Sequence, residues 1–131
     1  PKPGSELEFP EDATDLAFLE GCWKSDAGLM NSATRQPIFC IYCFKADGTA
    51  TVRVDELNRS GRLKQTCRAT ATAKLEGGKL RIRDTGAKCP SGTNYVRDTV
   101  LCSPSKNGAA ECTLQSDGAD KYRTRITRQA S

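Results

Sequence analysis

The segment LAFLEGCWKSDAG, residues 16–28, joins a short apolar run to a glycine and to the only tryptophan of the chain. The run before Gly21 has the length of about two helical turns, and after it the sequence changes to short β-like runs separated by turns. A glycine two residues before an inward-pointing tryptophan permits close approach of the backbone where a helix turns into a strand. The segment therefore predicts that Trp23 lies at the start of the first strand and closes one end of a β-barrel.

Turn-like stretches rich in Gly, Ser, Asn and Asp divide the chain after Gly21 into eight predicted strands. These strands are residues 20–26, 38–45, 49–55, 63–74, 79–84, 95–102, 111–116 and 121–128. Several of them alternate polar and apolar residues, which is typical of a sheet with one buried face. Because most connections are short, we predict an antiparallel up-and-down order, and closure into a barrel removes the exposed edges. The predicted fold class is all-β, with a short N-terminal helix before the barrel.

The charge of the chain is divided unevenly along its length. Residues 1–20 contain six acidic residues and one lysine, a net charge of −5, so with a total of +4 the remaining residues carry +9. We expect residues 1–12 to be an acidic, proline-rich tether and residues 13–131 to be a single barrel domain. A basic surface attracts anionic partners, although the same charge also serves solubility alone. The chain contains no run of about twenty apolar residues, so no membrane span is predicted. We expect contact with a membrane only through a tether outside these residues.

The seven cysteines predict three disulfides and one free thiol. Residues that face each other across an antiparallel hairpin have a constant sum of residue numbers, and the predicted turn centres fix that sum. The resulting pairs are Cys22–Cys43, Cys67–Cys89 and Cys102–Cys112. Cys40 is left as the free thiol, and the alternative is an exchange of Cys40 for Cys43 through a register slip. This many disulfides indicates an oxidising compartment, and we expect a periplasmic or secreted protein.

Neither metal binding nor catalysis is predicted. Zinc sites usually combine cysteine with histidine or with a second CxxC pair, whereas this chain has no histidine and a single CxxC, Cys40–Cys43, in an apolar run. Nucleophile–base catalysis also usually needs a histidine. Asp98 is the exception among the acids, because it is predicted in mid-strand. Its carboxylate is expected to point inward and to pair with an arginine such as Arg97, unless the strand face is wrongly assigned. Few aromatic residues accompany the basic ones, so no nucleic-acid partner is expected, and no cofactor is predicted.

Gly21-Cys22-Trp23 resembles the Gly-x-Trp motif of lipocalins and related calycins. In that family the motif begins the first of eight antiparallel strands, after a short helical segment. The resemblance implies that an arginine from the last strand packs across Trp23, and Arg125 or Arg128 is expected in that role. It also implies a small apolar ligand inside the barrel. The alanine-rich face of residues 63–74 either leaves space for such a ligand or indicates a narrow, filled barrel.

Two loops give a second resemblance, to bacterial periplasmic inhibitors of chicken-type lysozyme. SGTNY, residues 91–95, and SKNGAA, residues 105–110, are similar to the loops with which those inhibitors reach the acidic active site of lysozyme. The resemblance implies that Ser91, Tyr95 and Lys106 contact the partner, whereas ordinary Gly/Ser turns are the alternative interpretation.

The sequence thus predicts a non-catalytic, extracytoplasmic binding domain. Its partner is either a small apolar ligand in the barrel or an acidic protein or envelope component on loops 85–94 and 103–110. Inhibition of chicken-type lysozyme is the alternative function.

Overall fold

The structure is a computed structural model that describes residues 4–25, 35, 37–104 and 108–129. Its strands are β1 (Gly21–Ser25), β2 (Ile38–Phe44), β3 (Thr49–Leu57), β4 (Leu63–Glu76), β5 (Lys79–Asp84), β6 (Asp98–Ser103), β7 (Glu111–Ser116), β8 (Tyr122–Thr124) and β9 (Ile126–Gln129). They form one antiparallel sheet in the order β8-β7-β6-β5-β4-β3-β2-β1-β9. Because neighbours in the chain are neighbours in the sheet, the fold is the predicted up-and-down arrangement, wound into a nearly closed barrel.

The final strand differs from the prediction because it is divided at Arg125. The sequence predicts one strand over residues 121–128, whereas the structure has β8 paired with β7 and β9 paired with β1. The final segment therefore changes its partner at Arg125 and joins the two ends of the sheet. This division gives nine strands where the sequence predicts eight, and it is how the barrel approaches closure.

The acidic N-terminal segment lies on the barrel over residues 4–9. The Leu7 amide donates a hydrogen bond to the Ile126 carbonyl of β9 at 2.8 Å. Leu7 and Phe9 are only 2% and 4% exposed, because the barrel accepts their apolar side chains while the neighbouring Glu6 and Glu8 face outward. The division of the chain into a tether over residues 1–12 and a barrel domain stays a prediction, but residues 4–7 pair with β9 and Glu8 pairs with Ala109.

The barrel interior is filled by side chains. Leu19, Leu80, Val100 and Leu114 have no exposed surface, so no space the size of a water molecule touches them. The small residues of β4 belong to this filled core, since Ala71 is also buried. Ala71 also borders a groove of about 670 Å³ that opens to solvent. The interior is therefore narrow and packed, which is one of the two possibilities that the sequence leaves open.

The predicted disulfides are confirmed. Cys22–Cys43, Cys67–Cys89 and Cys102–Cys112 are bonded, and Cys40 is free and buried. The first and third pairs are direct register partners on neighbouring strands, as the sum of residue numbers predicts. Three disulfides place the chain in an oxidising, extracytoplasmic compartment.

The helix before β1 is a single 3₁₀ turn over Ala17–Leu19, shorter than the predicted two turns. It ends in Glu20, and the indole Nε1 of Trp23 donates a hydrogen bond to the Leu19 carbonyl at 2.7 Å. This bond fixes the helix-to-strand junction. In the described part of the chain, no helix combines the length and the apolarity needed to cross a membrane.

Candidate functional site

Trp23 is buried in β1 with an arginine stacked across its ring. The guanidinium carbon of Arg128 lies 4.1 Å from the centre of the indole ring, and its Nη1 donates to the Glu20 carbonyl at 2.8 Å. Gly21 lies beneath this arginine with φ +118°, and a β-carbon there would overlap Arg128 Nη1. The glycine is thus required both by its backbone conformation and by the close approach of the arginine.

The arginine that packs across Trp23 is Arg128. Arg125, the other candidate from the sequence, does not have this role, and that expectation was wrong. Trp23 and Arg128 are direct register partners on β1 and β9, and their side chains therefore lie side by side. Arg125 lies at the break between β8 and β9, where its exposed guanidinium is 3.0 Å from the Glu6 carboxylate. Counting strands from sequence locates the last strand but not its register against the first.

Ser91 lies at the tip of a small hairpin between β5 and β6. Lys88 and Asn94 face each other as a β-bridge, and the Gly92 amide donates to the Cys89 carbonyl at 3.0 Å. Gly92 has φ +89°, the left-handed conformation that a three-residue hairpin loop requires after its turn. The sequence PSG therefore folds into a tight turn that exposes Ser91.

The hairpin is anchored to β4 through Gln65 and is closed at its base by Tyr95. The Ser91 amide donates to Gln65 Oε1 at 3.3 Å, and Gln65 Nε2 donates to Glu56 Oε1 at 2.7 Å. The half-buried Tyr95 follows the hairpin, and its amide donates to the Ala87 carbonyl at 2.8 Å. Of the three predicted contact residues, Ser91 thus lies at the tip of this hairpin and Tyr95 directly follows it.

Lys106, the third predicted contact residue, lies outside the described residues. Its predicted position opposite a partner's carboxylates stays a prediction.

Arg68 on β4 and Lys88 before the hairpin form a pair of like charges. They exchange two backbone hydrogen bonds, of 3.0 and 2.9 Å, and so face each other directly. Both side chains are exposed, and no carboxylate of the described residues forms an ion pair with either. The adjacent disulfide, Cys67–Cys89, joins the two backbones one residue further along. The fold therefore holds two uncompensated cations side by side.

A shallow cleft of about 380 Å³ lies beside this pair. It is lined by Arg68, Ala69, Thr70, Thr85, Gly86 and Lys88. The cleft arises because the chain from Asp84 to Lys88 has one residue more than the stretch of β4 that it faces, which is a β-bulge. With two cations, two threonine hydroxyls and no carboxylate in its lining, the cleft suits an anionic group.

Sequence analysis located only one member of the basic pair in a predicted binding segment, Lys88 in loop 85–94. A recognisable pattern was present, because each half-cystine of one predicted disulfide has a cation next to it, in Cys67-Arg68 and Lys88-Cys89. Once these cysteines are paired, the two cations must also lie close together.

Two acids, Asp84 and Asp98, lie on the inner face of the barrel. Asp84 Oδ1 accepts hydrogen bonds from the amides of Gly86 and Asp98 at 2.8 and 3.1 Å. Asp98 accepts a hydrogen bond from the Ser116 hydroxyl at 2.5 Å. Asp98 is therefore inward, as predicted, but its partner is a serine rather than Arg97. Asp84 was not singled out, although it continues the alternation of Leu80 and Ile82.

Burial changes the acid–base properties of this interior cluster. It raises the pKa of Asp98 to about 6, with a further increase from the nearby Asp84 carboxylate and an opposing effect of the Ser116 hydrogen bond. Burial likewise raises the pKa of Asp84, of the Cys40 thiol and of Tyr42. The Tyr42 hydroxyl is buried without a hydrogen-bond partner among the described residues. Asp84, Cys40 and Tyr42 are buried, and Asp98 is half-buried.

One group of side chains has the composition of a metal site but not its chemistry. The Glu56 carboxylate lies within 4.8 Å of the sulfur atoms of Cys67 and Cys89. Because these sulfurs form a disulfide, they are not the thiolates that bind zinc.

Comparisons of the chain with family models, with curated proteins and with solved structures find no match. The nearly closed barrel and the Gly21–Trp23–Arg128 arrangement are compatible with a calycin-like fold.

Proposed function

We propose that this chain is a non-catalytic binding domain, periplasmic or secreted, that binds an acidic protein or envelope component through its outer wall. The observation that carries the proposal is the Arg68–Lys88 pair. The binding surface comprises this pair, its cleft and the hairpin that bears Ser91 and Tyr95.

The filled interior supports an outer rather than an inner site. A lipocalin-like cup needs a cavity of some hundreds of Å³ for a drug-sized ligand. The central side chains instead have no exposed surface, as Leu80 and Val100 illustrate. A small apolar ligand inside the barrel is therefore the less favoured of the two partners that the sequence suggests.

The electrostatics support an anionic partner. Like charges directly opposite in a sheet are destabilising, by an amount on the order of 0.2–1 kcal/mol. Arg68 and Lys88 carry this cost without a described acid to relieve it, and a carboxylate or phosphate of a partner would do so. The disulfide Cys67–Cys89 holds their backbones in place, which lowers the ordering cost of binding.

The experiment compares two pairs of like-charged residues, each with one member on β4. Binding of the oxidised protein to poly-L-glutamate is measured by calorimetry in about 50 mM salt, where screening is weak. We expect Arg68→Gln/Lys88→Gln to weaken binding about tenfold. The control is Lys74→Gln/Arg81→Gln, which removes the same charge from a directly opposed pair of β4 and β5. No binding by the parent, or an equal loss in both variants, would overturn the proposal.

Inhibition of chicken-type lysozyme is the second candidate, supported by the position of Ser91 and Tyr95 on one anchored hairpin beside the basic pair. The test is inhibition by the parent and by Lys106→Ala at micromolar protein. If this alternative function holds, the parent inhibits lysozyme and the variant loses about 2–5 kcal/mol of binding free energy. A folded, oxidised parent that does not inhibit lysozyme ends this candidate, whereas equal inhibition by both proteins excludes Lys106 from the contact.

A further inference from the structure

A second groove lies on a different wall of the barrel, beside Trp23. It has a volume of about 760 Å³ and opens to solvent between the N-terminal segment and the 3₁₀ turn. It is lined by Ser5, Glu6, Glu8, Pro10, Ala17, Phe18, Glu20, Trp23 and Arg128. This wall is formed by β9, β1 and residues 4–10, and it is separate from the basic pair on β4.

The N-terminal segment forms one side of the groove because it is held as an extended strand. The Leu7 amide donates to the Ile126 carbonyl, and the Ala110 amide donates to the Leu7 carbonyl, both at 2.8 Å. Since side chains of a strand alternate between its faces, Leu7 points into the barrel while Glu6 and Glu8 face outward. Both carboxylates thus lie along the rim of the groove.

The apolar part of the groove is built on aromatic rings. Phe18 stacks on the buried Phe9 with 5.3 Å between ring centroids, and Pro10 continues the same surface. Phe18 is only partly buried, so one face of its ring remains available to a ligand. Such a surface accommodates an apolar chain or ring next to the acidic rim.

The charge of the groove is negative. Its lining contains three carboxylates, Glu6, Glu8 and Glu20, and one guanidinium, that of Arg128. Arg128 keeps its positive charge, because it contacts the Trp23 ring and the Glu20 carbonyl rather than a carboxylate, and its buried Nε has no hydrogen-bond partner among the described residues. Arg125 compensates Glu6, so the lining is left with the carboxylates of Glu8 and Glu20 against the single guanidinium of Arg128. Within the described ranges, no cation forms an ion pair with the carboxylates of Glu8 or Glu20.

We propose that this groove binds a cationic amphipathic ligand, an ammonium or guanidinium group attached to an apolar chain or ring. The cation lies between Glu8 and Glu20, and the apolar part lies on Phe18 and Pro10. Charge complementarity decides against a fatty acid or other anionic amphiphile, which the same apolar surface would otherwise accept.

Octylammonium, octanoate and octanol test the proposal, because they share a chain length and differ in charge. Each is titrated below its micelle concentration while the indole N–H resonance of Trp23, the only tryptophan, is followed by NMR at low salt. We expect saturable shifts with octylammonium and none with octanoate. Methylammonium, which has the charge without the chain, is expected to bind at least about tenfold more weakly.

Two variants locate the site. Glu8→Gln/Glu20→Gln is expected to weaken octylammonium binding about tenfold, whereas the control Glu76→Gln, at an exposed acid of β4, is expected to leave it unchanged. Far-UV circular dichroism and disulfide mapping verify that both variants are folded. Equal binding of octylammonium and octanoate, or unchanged binding in the double variant, would overturn the proposal.

Discussion

Individual residues at the closed end of the barrel carry much of its stability. Trp23 is 3% exposed, donates a hydrogen bond to the chain before it and lies under Arg128. The contact with Arg128 depends on Gly21, since a side chain there would occupy the space of the guanidinium. The three residues therefore act as one structural unit.

Trp23→Ala is expected to lower the free energy of unfolding by about 3–5 kcal/mol, because it removes a large buried aromatic. Urea denaturation followed by circular dichroism measures the change. Val96→Ala, at a residue that is 55% exposed, is the control and is expected to change stability by less than about 0.5 kcal/mol. A Trp23→Ala protein as stable as its parent would show that the tryptophan is not core.

Arg128→Ala is expected to destabilise the fold more than Arg125→Ala. A cation over a tryptophan face contributes about 0.5–2 kcal/mol, and Arg128 also donates to Glu20. The Arg125–Glu6 pair is exposed, and such pairs contribute about 0–1 kcal/mol. Denaturation midpoints of the two variants test this order, and the reverse order would contradict the assignment of Arg128.

Asp98 makes stability depend on pH in a defined direction. Its folded pKa of about 6 exceeds the ordinary value of 3.8, so its contribution is fully present below about pH 3.8 and is lost as pH rises through about 6. The raised pKa of Asp84 acts in the same direction, whereas the lowered pKa values of Asp47 and Asp117 act in the opposite one.

Asp98→Asn is therefore expected to remove part of the fall in stability between about pH 4 and 6. Unfolding free energies across this range, measured for parent and variant, check the prediction. Ser116, which donates to Asp98, can donate equally to an amide oxygen. A pH profile identical to that of the parent would show that Asp98 does not titrate in this window.

At the scale of elements, β4 organises the binding surface. It is the longest strand, Leu63–Glu76, and it pairs with β3 and β5 along most of its length. Beyond β5 its pairing passes to Lys88, where the disulfide Cys67–Cys89 secures the hairpin. At its beginning, Leu63 is 58% exposed, because the register shifts between Glu56 and Leu57. The alternation of the sequence predicts this residue on the buried face.

Removal of the disulfide on β4 is expected to weaken anion binding, whereas removal of the disulfide between β6 and β7 is not. Cys67→Ala/Cys89→Ala and Cys102→Ala/Cys112→Ala should each lower stability by about 2–4 kcal/mol. Only the first pair adjoins Arg68 and Lys88, so only the first variant should bind poly-L-glutamate more weakly. Calorimetry under conditions where both variants are folded makes the comparison. Equal affinities in the two variants would contradict the role of this disulfide.

At the scale of the whole molecule, opposite charges lie on different walls. The acidic segment 4–10 lies against β9, and the basic pair lies on β4, with β1, β2 and β3 between them in the sheet. Part of the charge asymmetry of the sequence is thus found on two separate walls among the described residues. A partner that approaches β4 meets mainly the basic one.

Binding to poly-L-glutamate is expected to weaken steeply as salt rises from tens to hundreds of millimolar, since the screening length falls to about 8 Å near 0.15 M. The apparent dissociation constant is measured in a sodium chloride series, with the Arg68→Gln/Lys88→Gln variant as the control. The variant should show a smaller slope. Affinity independent of salt would remove the electrostatic basis of the proposed function.

The sequence by itself determined the strand count to within one, the up-and-down order and all three disulfides. These properties are local, because turn residues locate the hairpins and a hairpin fixes which residues face each other. The same logic made Trp23 an inward residue, since Cys22 pairs with Cys43 and side chains alternate. The hairpin with Ser91 and Tyr95 was likewise located by its turn sequence.

Only the tertiary structure decided how the ends of the chain meet. The division of the last strand at Arg125, the choice of Arg128 over Arg125 and the pairing of residues 4–7 with β9 all depend on contacts between segments distant in sequence. Barrel closure sets the register of such contacts through the tilt and stagger of every strand, so no local pattern encodes it. The acidic groove beside Trp23 and the filled interior arise from that closure for the same reason.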